Sequence, residues 1–292
     1  VTGVSGGFTN IANLNGGTGT DAFTLSGGTL SGAINGGLTG VNTLTADNVA
    51  NTWVITGANA GSVTGVSGGF TNIANLNGGT GTDSFTLSGG TLTGAINGGL
   101  TGVNTLTADN VANSWNITGS DSGSVTGITG GFTNIGTLSG GTNAAPFTFH
   151  SGGVLSGPVD GGAGSDTLDF SSYGTAVSAS PTGTGSGKVS GTPDPITYAG
   201  TNDYLNIESV NTGAGGGLVG PDQVNAWDIT GVDAFTLNGT TYTGISTVTG
   251  GTLADTFTVE DAGRLSGATA IDGGAGANVL QSVGNAAWSV TG

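Results

Sequence analysis

The sequence predicts an all-β fold, a parallel β-solenoid of the β-helix or β-roll type with about 14 short coils of roughly 20 residues each. Three observations lead to this prediction: a 62-residue internal repeat, regularly spaced glycine pairs, and short clusters of Val, Ile, Leu and Phe between those pairs. Apolar clusters bounded by glycine are typical of short strands joined by tight turns. We expect right-handed coils, because parallel crossover connections prefer that hand.

The repeat sets the domain organisation. The first 62 residues recur in the next 62 with seven differences, a third copy follows, and a fourth is more divergent. Because each copy continues the same pattern, we expect one continuous solenoid with repeat units at 1–62, 63–124, 125–241 and 242–292.

The tryptophans mark one position in each copy. Each is followed by the pattern x-[IV]-T-G, and their spacings are 62, 112 and 61 residues, for Trp53, Trp115, Trp227 and Trp288. The long spacing indicates an insert of about 50 residues in the third unit, at about 171–221. Because four of the six prolines lie there, the insert is predicted to be an irregular flap, a lateral projection or one extra coil.

A finer period lies within the unit. Glycine pairs divide it into modules of about ten residues, each with one short strand of alternating polarity, such as Phe23-x-Leu25. Such a strand cannot bury its apolar face alone, but it can stack at ~4.8 Å on the equivalent strand of the next coil. Two modules per coil give two-sided coils of ~20 residues, and three-sided coils of ~30 residues are the alternative. Since Trp53 shares a strand face with Ile55, we expect core packing rather than an exposed row that stacks on sugars.

The charge of the chain excludes several functions. The chain has only two basic residues, Lys188 and Arg264, and 18 acidic residues, which gives a formal net charge of −16. Binding to nucleic acid or to anionic lipid requires a basic surface, so neither partner is expected. No stretch approaches the ~20 apolar residues that span a bilayer, so membrane insertion is not expected. The chain has no cysteine, which excludes disulfides and thiolate metal sites.

The few chemically active side chains argue against an enzyme. The chain has one histidine, one lysine and one arginine, at positions 150, 188 and 264. A general acid–base cluster is difficult to build from residues so widely separated. Near-identical copies also have no use in a protein with a single active site. We therefore predict a protein without catalytic residues.

Three glycine-rich strings carry a resemblance to known families. They run from Gly16 to Asp21, from Gly78 to Asp83 and from Gly161 to Asp166, and each has the form G-G-x-G-x-D. At these residues the chain resembles the RTX nonapeptide family. As a style of repeat, the whole chain is similar to the giant bacterial exoproteins of adhesin or filamentous-haemagglutinin type. This resemblance implies a secreted protein at a bacterial cell surface.

The RTX resemblance also implies calcium binding. Asp166, with Asp160 nearby, is the strongest candidate ligand, followed by Asp21 and Asp83. The sequence departs from the family, however, because its turns are isolated and Asn42 occupies the position one coil after Asp21. Ca²⁺ requires six to eight oxygen ligands. This departure favours a hydrogen-bonded ladder of Asn and Asp side chains over a firm Ca²⁺ cofactor.

These observations predict a structural extracellular protein that forms a stiff rod or filament, as a fibre, a sheath or an adhesin stalk. The sequence begins and ends in phase with its repeat, from which we expect a homopolymer made by axial stacking. Contact with a cell surface or a polysaccharide is a further expectation. The alternative is an adhesin module that binds calcium or carbohydrate.

Overall fold

The computed structural model describes residues 7–266 and 270–284. These residues form 28 β-strands and no helix, which confirms the all-β prediction. Among them, no helical segment is long and apolar enough to cross a membrane.

Most strands have two to six residues, as expected from the short apolar clusters. The first fifteen are β1 (Leu14–Asn15), β2 (Ala22–Thr24), β3 (Ile34–Asn35), β4 (Thr43–Thr45), β5 (Thr52–Gly57), β6 (Ala60–Val63), β7 (Val66–Thr71), β8 (Asn75–Asn77), β9 (Ser84–Leu87), β10 (Ile96–Asn97), β11 (Thr105–Thr107), β12 (Trp115–Gly119), β13 (Ser122–Val125), β14 (Ile128–Thr133) and β15 (Thr137–Ser139). The others are β16 (Pro146–Phe149), β17 (Val159–Asp160), β18 (Thr167–Asp169), β19 (Val177–Gly183), β20 (Ser186–Gly191), β21 (Tyr204–Leu205), β22 (Ser209–Val219), β23 (Ala226–Gly231), β24 (Ala234–Leu237), β25 (Thr240–Thr249), β26 (Thr256–Val259), β27 (Ala270–Asp272) and β28 (Val279–Ser282).

The chain divides into two compact units. The first holds the residues up to Asn113 together with Asp121–Gly141, and the second holds Ser114–Ser120 and the residues from Thr142 onward. In both units the strands form open sheets that mix parallel and antiparallel pairs.

The first unit contains two hydrogen-bonded strand ladders. Ladder 1a has the order β1-β3-β7-β6-β5-β9-β11-β15. Ladder 1b has the order β2-β4-β8-β10-β14-β13. From β1 to β5 and from β7 to β11, consecutive strands of the chain alternate between the two ladders. Each turn between them therefore carries the chain from one ladder to the other.

The second unit also contains two ladders, and three of its strands, β19, β22 and β25, are longer than any in the first unit. Ladder 2a has the order β12-β16-β18-β22-β25-β24-β23-β26-β28. Ladder 2b has the order β17-β21-β20-β19-β22-β25-β27. Strands β22 and β25 belong to both ladders, because their glycines at Gly213 and Gly244 have positive φ and allow the backbone to bend between two pairing segments.

Three-strand antiparallel meanders interrupt the parallel pairs, so the sheets are mixed rather than parallel throughout. In the first unit, β5 pairs with β6 and β6 with β7, all antiparallel. The tight β5–β6 turn places Asn59 at a φ of +53°. Asp121, Gly185 and Asp233 hold the matching turn positions with φ of +48°, +62° and +50°. Asn, Asp and Gly are the residues that best tolerate this left-handed region, which explains the substitutions at this position.

The tryptophans lie in the core. Trp53, Trp115 and Trp227 have no exposed surface. Each stacks on a phenylalanine of the parallel neighbouring strand at 5.2–5.5 Å between ring centroids: Phe85, Phe147 and Phe257, respectively. The predicted core position is thereby confirmed for these three residues, while Trp288 lies outside the described residues.

The insert contains more regular structure than the sequence suggested. Residues 177–191 form the antiparallel hairpin β19–β20, and Gly187 pairs with Tyr204 as Gly61 pairs with Phe70. In this register, Ala179 of β19 occupies the position that Trp53 occupies in β5. The interpretation of the segment as an irregular flap is wrong for the hairpin, because Ala179 and Pro181 stand where the first copy has Trp53 and Ile55, the large apolar residues by which a strand was recognised.

Stacking between successive layers gives a direct test of the fold. Gly28 and Gly90 are equivalent in the first two copies and neither has a positive φ. A Cβ on Gly90 would lie 2.6 Å from the carbonyl carbon of Ile55, whereas a Cβ on Gly28 would meet nothing within 4 Å. We expect Gly90→Ala to lower the free energy of unfolding by about 1–3 kcal/mol through overpacking. Urea unfolding measures this change.

Gly28→Ala is the matched control for this experiment. It should change the free energy of unfolding by less than about 1 kcal/mol, and in the stabilising direction, because alanine restricts the unfolded chain. Equal destabilisation by both substitutions would contradict the stacking of the Gly90 turn on β5.

Candidate functional site

The G-G-x-G-x-D strings form turns in which the aspartate folds back over the first glycine. In the second copy, a Cβ on Gly78 would collide with the carboxylate of Asp83, and the next residue, Gly79, has a φ of +96°. In the first copy, the Asp21 carboxylate accepts a hydrogen bond from the Gly17 N–H at 2.8 Å. The two glycines therefore serve the turn itself, one by its missing side chain and one by its backbone conformation.

The turns are joined by a side-chain ladder, which we call the turn ladder. In each rung, a side-chain oxygen accepts a hydrogen bond from the backbone N–H of the matching residue in an earlier turn. Asp83 accepts from Asn51 at 2.7 Å, and Asn104 accepts from Asp83 at 2.8 Å. Asn42 accepts from Asp21 at 2.8 Å. The Asn/Asp ladder expected from the sequence is therefore present in the first unit.

The second unit contains rungs of the same kind, and more of them are acidic. Asp166 accepts from the Ala145 N–H at 2.7 Å, and Glu208 accepts from the Asp166 N–H at 2.7 Å. Asp255 accepts from Asn225 at 3.0 Å, and its own N–H donates to Asn278 at 2.9 Å. Asp166 and Asp255 are buried.

Burial raises the pKa of the aspartate carboxyl in two rungs of the turn ladder. It raises the pKa of Asp83, against hydrogen bonds from Asn51 that lower it. Burial also raises the pKa of Asp166 to about 6; the Ala145 N–H opposes this shift, while the charges of Glu208 and Asp160 add to it. One carboxylate oxygen, Oδ2, of both Asp83 and Asp166 is buried and has no hydrogen-bond partner, which is consistent with a penalty on the charged form.

The four candidate calcium ligands do not converge. Asp21 and Asp83 lie on turn-ladder rungs of the first unit, and Asp160 and Asp166 lie in the second. Asp160 accepts hydrogen bonds from the Gly162 N–H and from Asn206. In residues 7–266 and 270–284, no three carboxylate or imidazole groups are placed to hold one metal ion. Calcium binding stays a prediction.

A second feature is the open edge of the first unit, where residues are exposed although their copies are buried. Phe8 is 49% exposed and its equivalent Phe70 is 2% exposed, while Ile11 is 48% exposed and Ile73 is fully buried. A cavity of about 630 Å³ opens there, lined by Phe8, Phe23 and other apolar residues. The local sequences are identical, so the difference comes from the layer that covers the second copy.

The other open edge lies in the second unit at β28. Val279 and Leu280 are 47% and 46% exposed, whereas Phe257, which pairs with Leu280 in the preceding strand, is 2% exposed. Both edges therefore present apolar strand residues on strands that pair on one side only with described residues, a combination that favours pairing with a further strand.

A third feature is a cleft of about 660 Å³ in the insert. Its lining includes Ser180, Lys188, Asp194, Tyr198 and Asp222. Lys188 forms an ion pair with the buried Asp203 at 2.7 Å. Burial raises the pKa of Asp194, the Ile196 N–H lowers it, and the Asp203 and Lys188 charges make smaller contributions of opposite sign.

The chain matches no known family model. It also has no significant similarity to a curated protein. The functional assignment therefore depends on the geometry of the turn ladder, the open edges and the insert cleft.

Sequence reasoning identified some of these residues and missed others. It identified the turn aspartates but not Glu208, which replaces the usual Asn as a rung and has no sequence signature. It noted Lys188 as one of two basic residues without assigning it to a site, and it did not identify Tyr198 as a site residue. The signal for the cleft was the interruption of a nearly exact repeat. His150, the only histidine, hydrogen-bonds Asn116 at 3.1 Å.

The raised pKa of Asp166 predicts a pH-dependent contribution to stability. Because the folded pKa of about 6 exceeds the usual 3.8, its contribution is complete below pH 3.8 and is lost as the pH rises through about 6. Asn keeps the acceptor for the Ala145 N–H and carries no charge. We expect Asp166→Asn to raise the free energy of unfolding at pH 7 by about 1–2 kcal/mol, less than the ~3 kcal/mol of the full shift. Chemical unfolding at pH 4 and pH 7 measures this.

Asp166→Ala is the control, because it removes both the charge and the acceptor. It should be less stable than Asp166→Asn at both pH values, since the Ala145 N–H then loses its partner. A loss of stability in Asp166→Asn at pH 7 would contradict an uncompensated buried charge.

Proposed function

We propose that this chain is a structural, secreted repeat protein that forms a stiff rod or filament at a bacterial surface, as a fibre, a sheath or an adhesin stalk. The chain folds as a parallel β-solenoid with interposed meanders, and copies associate end to end. The observation that carries the proposal is the unequal burial of identical residues, exposed at the open edge and buried one repeat later. The extracellular location rests on the resemblance to repeat exoproteins.

The strand registers support the solenoid. Where no meander intervenes, parallel partners in the first unit lie 20 or 21 residues apart, as in Leu14 with Ile34 and Phe23 with Leu44. This offset equals two of the ten-residue modules, and it supports two-sided coils of which about 14 would fit the chain. A right-handed path remains our expectation from the general preference of parallel crossovers.

The backbone at the first open edge supports addition of a strand. On either side of β2, the Asp21 carbonyl accepts a hydrogen bond from the Thr43 N–H of β4, and the Leu25 N–H donates to the Thr45 carbonyl of β4. The N–H groups of Ala22 and Thr24 alternate with these and point away from β4. In the second copy, the equivalent strand β9 pairs on this side with β5, the strand of Trp53. An incoming strand would thus pair with the edge as β5 pairs with β9.

The turn ladder gives the association a direction. Every rung joins a side-chain oxygen to an N–H of an earlier turn. At the first edge, the Oδ1 of Asp21 receives no such bond from a described residue, and at the other edge the Asn278 N–H finds no described acceptor. These two groups are complementary, so the ends favour head-to-tail contact. A head-to-tail interface that does not close produces an open filament.

A single substitution at the open edge tests self-association. Thr24→Pro removes an N–H that no described residue accepts, and proline is tolerated on edge strands. We expect the folded monomer to persist while end-to-end assembly falls at least about tenfold, the effect of losing roughly 1.4 kcal/mol of association free energy. Sedimentation velocity over a concentration series measures assembly, and negative-stain microscopy shows whether filaments form.

Thr24→Val is the matched control, because it retains the N–H and should assemble like the unmodified chain. Circular dichroism must show the same β-sheet content in both variants. A chain that stays monomeric at all concentrations, or a Thr24→Pro variant that assembles normally, would refute the proposal.

The second candidate function is a calcium-dependent adhesin module. It is favoured by the unpartnered buried Oδ2 atoms of Asp83 and Asp166, since such oxygens are potential cation ligands. The structural proposal expects no role for calcium, because turn-ladder hydrogen bonds already join the turns.

Chelation separates the two candidates. With excess EDTA, the structural proposal expects an unchanged circular dichroism spectrum and an unchanged melting temperature. Addition of Ca²⁺ to the chelated sample is the control. Loss of the β-sheet signal in EDTA, restored by Ca²⁺, would support the calcium module instead.

A further inference from the structure

The insert cleft is created by a single departure from the repeated meander. Two meanders join their second and third strands by two residues, 64–65 and 238–239, and the β13–β14 hairpin is likewise joined by 126–127. The meander of the insert joins β20 to β21 by twelve residues, 192–203. This connection, which we call the insert loop, supplies five residues of the cleft lining: Asp194, Ile196, Thr197, Tyr198 and Asp203. A longer connection is unnecessary for the sheet, because the short ones complete the same strand pairing.

The insert loop is held in place by directed hydrogen bonds. The Lys188 ammonium donates to Asp203 at 2.7 Å and to the carbonyl oxygens of Gly200 and Tyr198 at 3.0 and 3.3 Å. The other Asp203 oxygen accepts from the Val189 N–H at 2.9 Å. A site fixed in this way loses little conformational entropy when a ligand binds.

Further bonds anchor the first half of the insert loop. Leu155 donates its N–H to Pro195 and accepts from the Thr197 N–H, at 3.0 and 2.9 Å. The Tyr173 hydroxyl donates to the Pro193 carbonyl at 3.1 Å. The insert loop is thus tied to the sheet at both ends.

The groups that remain for a ligand are mainly acceptors. All three donors of Lys188 are engaged within the protein, so the cleft offers no uncommitted cation. Asp194 and Asp222 are exposed residues, Ser180 and Ser190 supply hydroxyls, and Tyr198 is 37% exposed. Three carboxylates line the cleft against one ammonium, which disfavours an anionic ligand.

We propose that the insert cleft binds a neutral saccharide. Hydroxyl groups of the sugar donate charge-assisted hydrogen bonds to Asp194 and Asp222, and its apolar ring face packs on Tyr198, since tyrosine combines an apolar ring with a polar end. A cleft of about 660 Å³ lies within the range of small-molecule sites. This role is independent of self-association and would give a surface filament a contact with polysaccharide.

The test uses the full chain and saturation-transfer NMR with neutral trisaccharides of glucose, galactose, mannose and N-acetylglucosamine. At least one trisaccharide should receive saturation. Tyr198→Ala and Asp222→Asn should each weaken its binding at least about tenfold, which corresponds to ~1.4 kcal/mol. Tyr198→Phe keeps the ring and should bind like the unmodified chain.

Asp261→Asn, an exposed aspartate outside the cleft lining, is the control for charge and should leave binding unchanged. Melting curves of all variants exclude unfolding as the cause. The proposal is overturned if no trisaccharide receives saturation, if the Tyr198→Ala, Asp222→Asn double variant still binds, or if the polyamine spermidine occupies the cleft and the sugars do not. Filament assembly of Tyr198→Ala, followed by sedimentation, should match the unmodified chain, so the two proposals fail separately.

Discussion

The structure depends on the hydrogen-bonded stacking of each short strand on its equivalent in a neighbouring layer. A strand of two to four residues buries almost nothing by itself. Phe85 is fully buried because it lies between layers and stacks on Trp53, whereas the equivalent Phe23 at the edge is only half-buried. Burial is therefore a property of the array, and the same sequence is core or surface according to its neighbours.

The turns must satisfy a second constraint, because they bring polar groups into the layered interior. The turn ladder meets it by giving backbone N–H groups at successive turns a side-chain acceptor. Asn104 does so without charge, whereas Asp166 does so with a carboxylate whose pKa is raised by burial. The acidic rungs consequently make the fold sensitive to pH where the amide rungs do not.

Because the layers are regular, a segment that departs from the repeat indicates a role other than stabilising the sheet. A repeat that stabilises itself has no structural need for the twelve-residue insert loop, yet Lys188 and Asp203 fix that loop in one conformation. The proposed saccharide site thus lies on an interruption of the scaffold, whereas the proposed assembly surfaces lie where the layers end. The two features use different residues and can vary independently.

The sequence by itself determined the all-β class, the tryptophan core positions of Trp53, Trp115 and Trp227, and the turn positions, because glycine pairs and period-two apolar clusters are local signals. Only the tertiary structure decided the antiparallel meanders, since a tight turn of the Gly57–Ala60 kind does not reveal which strands it brings together. It also decided that residues 177–191 form a hairpin and that Glu208 completes a rung next to Asp166. Those features depend on pairing between residues distant in the chain, and such pairing is selected by the neighbouring layers rather than by the local sequence.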